Sequence, residues 1–208
     1  MKFKKKNFGG DCPKFTMPPV MVGGGFTLIA EQAGKIPEGW VIPTGTLAMA
    51  DESKREATLV TTGRVTAIST SNNKQVTLQA DGAAAPALYV GCYLAKDLSA
   101  TLANTPTVSA VELTDDGLVV TLSKAISGLA VGDTLCEVVA DSTNIKLRAT
   151  PNSILIDDME AKGEETPIDV TRNTGNGECY ARRVPPVPAS LLDGNCLKST
   201  KVSYTETL

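Results

Sequence analysis

The sequence predicts an all-β chain: an antiparallel β-barrel or sandwich containing a duplicated β-unit, with an extended N-terminal arm and little helix. Three observations predict it. Val65-Thr-Ala-Ile68, Val76-Thr-Leu78 and Leu88-Tyr-Val-Gly-Cys-Tyr-Leu94 are echoed in order by Val108-Ser-Ala-Val111, Val120-Thr-Leu122 and Leu129-Ala-Val-Gly-Asp-Thr-Leu135. A repeat built from short β-branched runs and glycine-marked turns reads as a duplicated antiparallel unit. In the second copy, Asp116-Gly117 separates two alternating runs, which is a strong hairpin signal because glycine accepts the positive φ a tight turn needs. Finally, the chain is 42% hydrophobic but only 4% aromatic, so its core is made of Val, Ile, Leu and Ala in closely strung strands.

The elements follow in order. Met1 to Val22 mixes Lys, Gly and Pro without alternation, and Pro18-Pro19 blocks a helix, so residues 1–25 read as an extended docking arm ending at Gly23-Gly24-Gly25. Residues 26–157 form the β-rich body, with the repeat at about 65–94 and 108–135. Within it, Phe26 to Ala30 is a first strand, and the Pro and Gly of Ile36 to Leu47 make a tight corner. Asp51 to Glu56 is a charged loop or a helical turn. Asn144 to Ala149 and Ser153 to Ile156 are further short strands. Residues 158–208 form a Pro-rich β segment packing on the body, with strands at Ile168 to Thr171 and Lys201 to Thr205, a stretch Glu178 to Val184 that Pro185-Pro186 ends, and one helical turn at Pro188 to Leu192.

Composition excludes several classes of function. The net charge of -3, from 20 basic and 23 acidic residues, offers no general attraction to nucleic acid. No apolar run is long enough to span a membrane. The Lys2, Lys4, Lys5, Lys6 cluster is either a solvated end or an arm that docks on an acidic partner. Five cysteines without CxxC spacing argue against a paired secreted framework and point to free thiols in a reducing cytoplasm.

The chain has no histidine, which removes Ser/His/Asp and Cys/His catalysis and the commonest metal ligand. Ser53-Lys54 and Ser123-Lys124 are sequence neighbours whose side chains diverge on a strand. Asp115-Asp116, Asp157-Asp158 and Glu164-Glu165 read as turn and loop carboxylates, and their spacing does not match a calcium loop. No catalytic residue, metal site or cofactor is expected. Arg182-Arg183 beside Tyr180 reads as an anion site or, in preference, an interface contact, and Trp40 is a second candidate for an interface.

Ile36-Pro-Glu-Gly-Trp-Val-Ile-Pro-Thr-Gly-Thr-Leu47, the paired V-x-A-[IV] and V-G-x-x-L units, and Tyr180-Ala-Arg-Arg-Val-Pro-Pro-Val-Pro188 together resemble the head-fibre and auxiliary capsid (decoration) proteins of tailed bacteriophages, particularly those of gut Bacteroidetes phages. The resemblance covers about Phe26 to Val202. It implies a non-enzymatic virion protein on the capsid exterior, assembled in the bacterial host cytoplasm, which binds the major capsid protein, itself as a homotrimer, and a head-fibre protein where one is anchored. No long fibrous extension or coiled-coil heptad follows the β-region, which favours a compact decoration or an anchoring base over a projecting fibre. In that reading Lys2, Phe3, Lys4, Lys5, Lys6, Phe8 and Phe15 dock on the shell. The alternatives are a tail or baseplate component, or a glycan- or receptor-binding β-module.

Overall fold

The computed structural model describes residues 13–22, 25–163, 166–171 and 175–205. Lys2, Phe3, Lys4, Lys5, Lys6 and Phe8, together with Gly23-Gly24 and Glu164-Glu165, lie outside the described residues. The chain opens with β1 (Phe15–Met17) and β2 (Phe26–Leu28), followed by the one-turn helix α1 (Ala30–Ala33). The expected first strand thus stops at Leu28. Ala30, Glu31, Gln32 and Ala33 are good helix formers, and the buried Gln32 amide caps the sheet edge, donating to Leu59 O at 3.0 Å and accepting from Leu59 N at 2.8 Å.

β3 (Val41–Ile42), β4 (Leu47–Asp51) and β5 (Glu56–Val60) follow, with the 51–56 stretch a turn stabilised by Asp51 Oδ1 accepting from the Ser53 backbone amide and hydroxyl. The repeated region supplies β6 (Thr62–Ile68), β7 (Gln75–Leu78), β8 (Tyr93–Ala95), β9 (Val108–Thr114), β10 (Gly117–Leu122) and β11 (Thr134–Asp141). Both copies fold alike. Val65 pairs with Leu78, Ala67 with Thr77 and Ile68 with Val76; Val108 pairs with Leu122, Ala110 with Thr121 and Val111 with Val120. The extra residue is Thr66 in one copy and Ser109 in the other, so the same β-bulge occurs twice.

The two hairpins meet through β7 and β10, where Val76 lies opposite its own repeat equivalent Val120. On the far wall β8 meets β11, where Ala95 lies opposite its equivalent Cys136. Each copy's last limb crosses to the other copy's first strand. Val65 N donates to Asp133 O and Gly132 N to Val65 O; in the mirror position Val108 N donates to Cys92 O and Gly91 N to Val108 O. Strand pairs β9–β10–β7–β6–β11 and β11–β8, closed by the Tyr93↔Thr107 bridge, complete a ring. The two copies therefore make one barrel with an internal twofold axis, filled by Val65, Val76, Leu78, Leu94, Val108, Val120, Leu122 and Leu135.

The glycine-marked segments ahead of β8 and β11 are tight turns. Tyr89-Val90-Gly91-Cys92 and Ala130-Val131-Gly132-Asp133 each close with a backbone bond between first and last residues, and Gly91 and Gly132 take φ of +92° and +94°. A side chain resists that conformation. The V-G signature therefore marks a turn with its valine turned outward.

β12 (Asn144–Leu147) pairs with β11, and β13 (Ser153–Ile154) pairs with β4 in a sheet ordered β13-β4-β5-β2. β14 (Met159–Glu160) pairs with β3, and β15 (Pro167–Ile168) completes the β13-β4-β5-β2 sheet beyond β2. The C-terminal lobe contains β16 (Gly177–Cys179), a 3₁₀ turn at Ala189–Leu191, β17 (Leu192–Asp193), β18 (Cys196–Leu197) and β19 (Val202–Tyr204). Its sheet runs β1-β16-β19-β18-β17, with β16 and β19 parallel. A second core joins lobe to body: Cys179, Val184, Leu197, Val202 and Tyr204 pack with Leu47, Val60 and Ile154.

Candidate binding surfaces

The described part of the expected arm, residues 13–22, is built into the body. Lys14 pairs with Asp81 of the barrel, Phe15 packs half-buried against the second core, and β1 is an edge strand on β16. Beyond Phe15, Pro19 is buried and Val22 packs on the main core, but Met17, Val20 and Met21 are 48%, 51% and 50% exposed, three of the six large hydrophobic residues exposed among the described residues. An edge strand followed closely by exposed apolar side chains is a template for another chain.

Tyr180 and Arg183 secure the entry of that segment. Tyr180 N donates to Lys14 O at 2.9 Å, Arg183 Nη1 donates to Pro13 O at 2.9 Å, and the Arg183 guanidinium stacks 4.6 Å from the Tyr180 ring centroid. Trp40 is half-buried against the main core and its indole Nε1 donates to Ala85 O at 3.1 Å. Of the four residues singled out for an interface, Arg182 alone projects from the lobe with no ion pair or ring contact among the described residues.

Arg182 borders a cleft of about 750 Å³ between barrel and lobe. Arg64 of β6 enters from the barrel side; its Nη2 donates to Ala181 O at 2.9 Å and its Nη1 to Gln79 Oε1 at 3.2 Å, while Gln79 Nε2 donates to Arg182 O at 2.9 Å. Burial and then the Arg182 charge depress the Arg64 pKa. Pro185, Pro186, Val187 and Leu192 supply an apolar wall, and among the described residues no Asp or Glu lines the cleft.

No family model matches the chain, and no curated protein or solved structure is significantly similar to it.

The most polar buried constellation lies elsewhere. Glu137 of β11 is 1% exposed; its Oε1 accepts from Tyr89 OH at 3.0 Å and Arg148 Nη2 at 2.7 Å, and Arg148 Nη1 reaches Glu31 Oε1 at 2.8 Å. Burial alone would lower the Arg148 pKa, but its hydrogen bonds and charge contact with Glu137 raise it on balance. Burial pushes the neighbouring Cys92 thiol up to about 12, so it stays protonated and weakly nucleophilic at neutral pH. The arrangement ties helix, barrel and β12 together.

The other sequence candidates disperse. Asp158 Oδ1 accepts from Thr44 N at 2.6 Å and Thr44 Oγ1 at 2.7 Å, Asp115-Asp116 form the β9–β10 turn, and Ser53 is bonded to Asp51. Among the described residues no three His, Cys, Asp or Glu side chains converge as a metal site would require. Sequence reasoning missed Arg64. The available signal was a break in the repeat: Arg64 stands where the second copy has Thr107, and Thr134 opposite it where the first copy has Tyr93.

Proposed function

We propose that the chain is a non-enzymatic virion structural protein that binds the exterior of a phage capsid, as a decoration or auxiliary capsid protein or as the anchor of a head fibre, and stabilises capsomer contacts. The supporting observation is the apolar edge at Met17, Val20 and Met21, fixed to the body by Lys14, Phe15 and the Tyr180–Arg183 clasp. Each such side chain yields about 1.5–3 kcal/mol when fully buried, and pairing of the β1 edge adds register. The occupant in this reading is the major capsid protein, and the chain itself is a homotrimer at a threefold position.

Co-sedimentation with phage shells lacking the protein tests the reading, with light scattering of the free chain alongside. Saturable, stoichiometric pelleting and a threefold mass are expected. Met17→Lys with Met21→Lys should weaken binding at least about tenfold, since apolar burial is lost on both, while the β-rich circular dichroism spectrum is kept. Folded wild-type protein that stays in the supernatant would overturn the capsid reading and favour a tail or baseplate location, or glycan or receptor binding.

A further inference from the structure

The cleft between barrel and C-terminal lobe is not needed for docking through β1. Its chemistry points to a ligand of its own. Arg64 is half-buried and oriented by a backbone carbonyl and an amide oxygen, both neutral acceptors, rather than by a carboxylate. Taking a guanidinium partly out of water beside a second guanidinium is unfavourable unless an anion is available to both. Arg148, also half-buried, pairs instead with the carboxylates of Glu31 and Glu137, whereas among the described residues the cleft lining contains no Asp or Glu.

The duplication makes the same point from another direction. The two halves keep their register, their bulge and their core residues, yet at the wall facing the lobe the Thr107–Tyr93 pair of one half is replaced by Arg64–Thr134 in the other. The lobe covers the Arg64 wall through the carbonyls of Ala181 and Arg182.

We infer that this cleft binds an oxyanion carried on an apolar frame, with a phosphate or carboxylate group held between Arg64 and Arg182 and the apolar part lying against Pro185, Pro186, Val187 and Leu192. Planar guanidiniums suit such groups because their donors match two oxygens at once. Pyrrolidine rings and aliphatic side chains add a rigid apolar surface, the usual composition of a small-molecule cleft.

The test is isothermal titration of the full chain with phenyl phosphate, benzoate and inorganic phosphate, at an ionic strength held constant with sodium chloride. Saturable binding of phenyl phosphate or benzoate, tighter than inorganic phosphate, is expected, and the ranking of the first two identifies the preferred acid group. Arg182→Ala should weaken it about tenfold to a hundredfold, the cost of one charge-assisted contact. Its side chain is exposed and its carbonyl bond to Gln79 is retained, so folding is preserved. Arg183→Ala, whose guanidinium faces Tyr180 and Pro13, should bind as wild type does. Absence of saturable binding by all three probes, or equal affinity in wild type and Arg182→Ala, would overturn the inference. Neither result depends on whether the chain docks on a shell.

Discussion

At Gly117 the chain turns from β9 into β10 with φ of +134°, and a Cβ placed there would lie 2.4 Å from Leu78 O and 3.1 Å from Thr77 Cγ2. The oxygen belongs to the backbone of β7, so relief requires moving a strand in the barrel wall. Gly82 also has a positive φ, +59°, but nothing lies within 4 Å of its Cβ position. Gly117→Ala should therefore cost about 3 kcal/mol or more, with strain and overpacking added, against about 1 kcal/mol for Gly82→Ala, where only the conformational preference is lost. Urea denaturation of the two variants checks this; equal losses would mean that the β7–β10 junction yields easily. The Asp-Gly turn itself is legible in the sequence, since a two-residue signal sits between alternating runs. The clash is not, because Leu78 belongs to a different hairpin.

The hairpins show how far local pattern reaches. Val65-Thr-Ala-Ile68 and Val108-Ser-Ala-Val111 can be matched by eye, and both runs share a buried, exposed, exposed, half-buried order that reflects the bulge. Alternation alone gives strand and face, but a bulge and the exchange of limbs are decided by the partner strand. The V-G units mark the turn ahead of each copy's last strand, where glycine's positive φ leaves Val90 and Val131 at 63% and 65% exposure. β1 was harder still to foresee, because Phe15 pairs with Cys179 far along the chain. Because the limbs are exchanged about a twofold axis, Leu94 and Leu135 occupy equivalent positions, 1% and 0% exposed. Leu94→Ala and Leu135→Ala should each cost about 2–5 kcal/mol and agree to within about 1 kcal/mol, measured by chemical denaturation. A larger gap would show that the barrel's two halves do not share stability evenly.

Three cores hold the whole molecule, and each contains one buried thiol: Cys92 in the barrel, Cys179 between lobe and body, and Cys136 beneath β12. The second core draws residues from both lobe and body, so unfolding the lobe alone would bare Leu47, Val60 and Ile154 to water. That coupling predicts one cooperative unit. Burial raises all three thiols from 9.0 to about 12. In the folded state they keep their protons; in the unfolded state they lose them near pH 9. Stability from this source is therefore full below pH 9 and declines as the pH rises toward 12. Each thiol contributes a slope of about 1.4 kcal/mol per pH unit in that window, so three together remove about 4 kcal/mol per unit. Against a typical total of about 5–15 kcal/mol, the fold should fail before the thiols ionise in place. Burial raises the phenols of Tyr89 and Tyr204 as well, which adds slope of the same sign above about pH 10. Base titration followed by circular dichroism should give a single transition between about pH 10 and 12, and Cys136→Ala should reduce its pH dependence by about a fifth. Thiol alkylation of the native protein at pH 8, mapped by mass spectrometry, reads the same coupling directly: Cys92, Cys136 and Cys179 should react at one slow common rate, set by global opening. Faster labelling of Cys179 than of Cys92 would mean that the lobe opens by itself, and the edge it carries at β1 would then be a movable attachment rather than part of a rigid body.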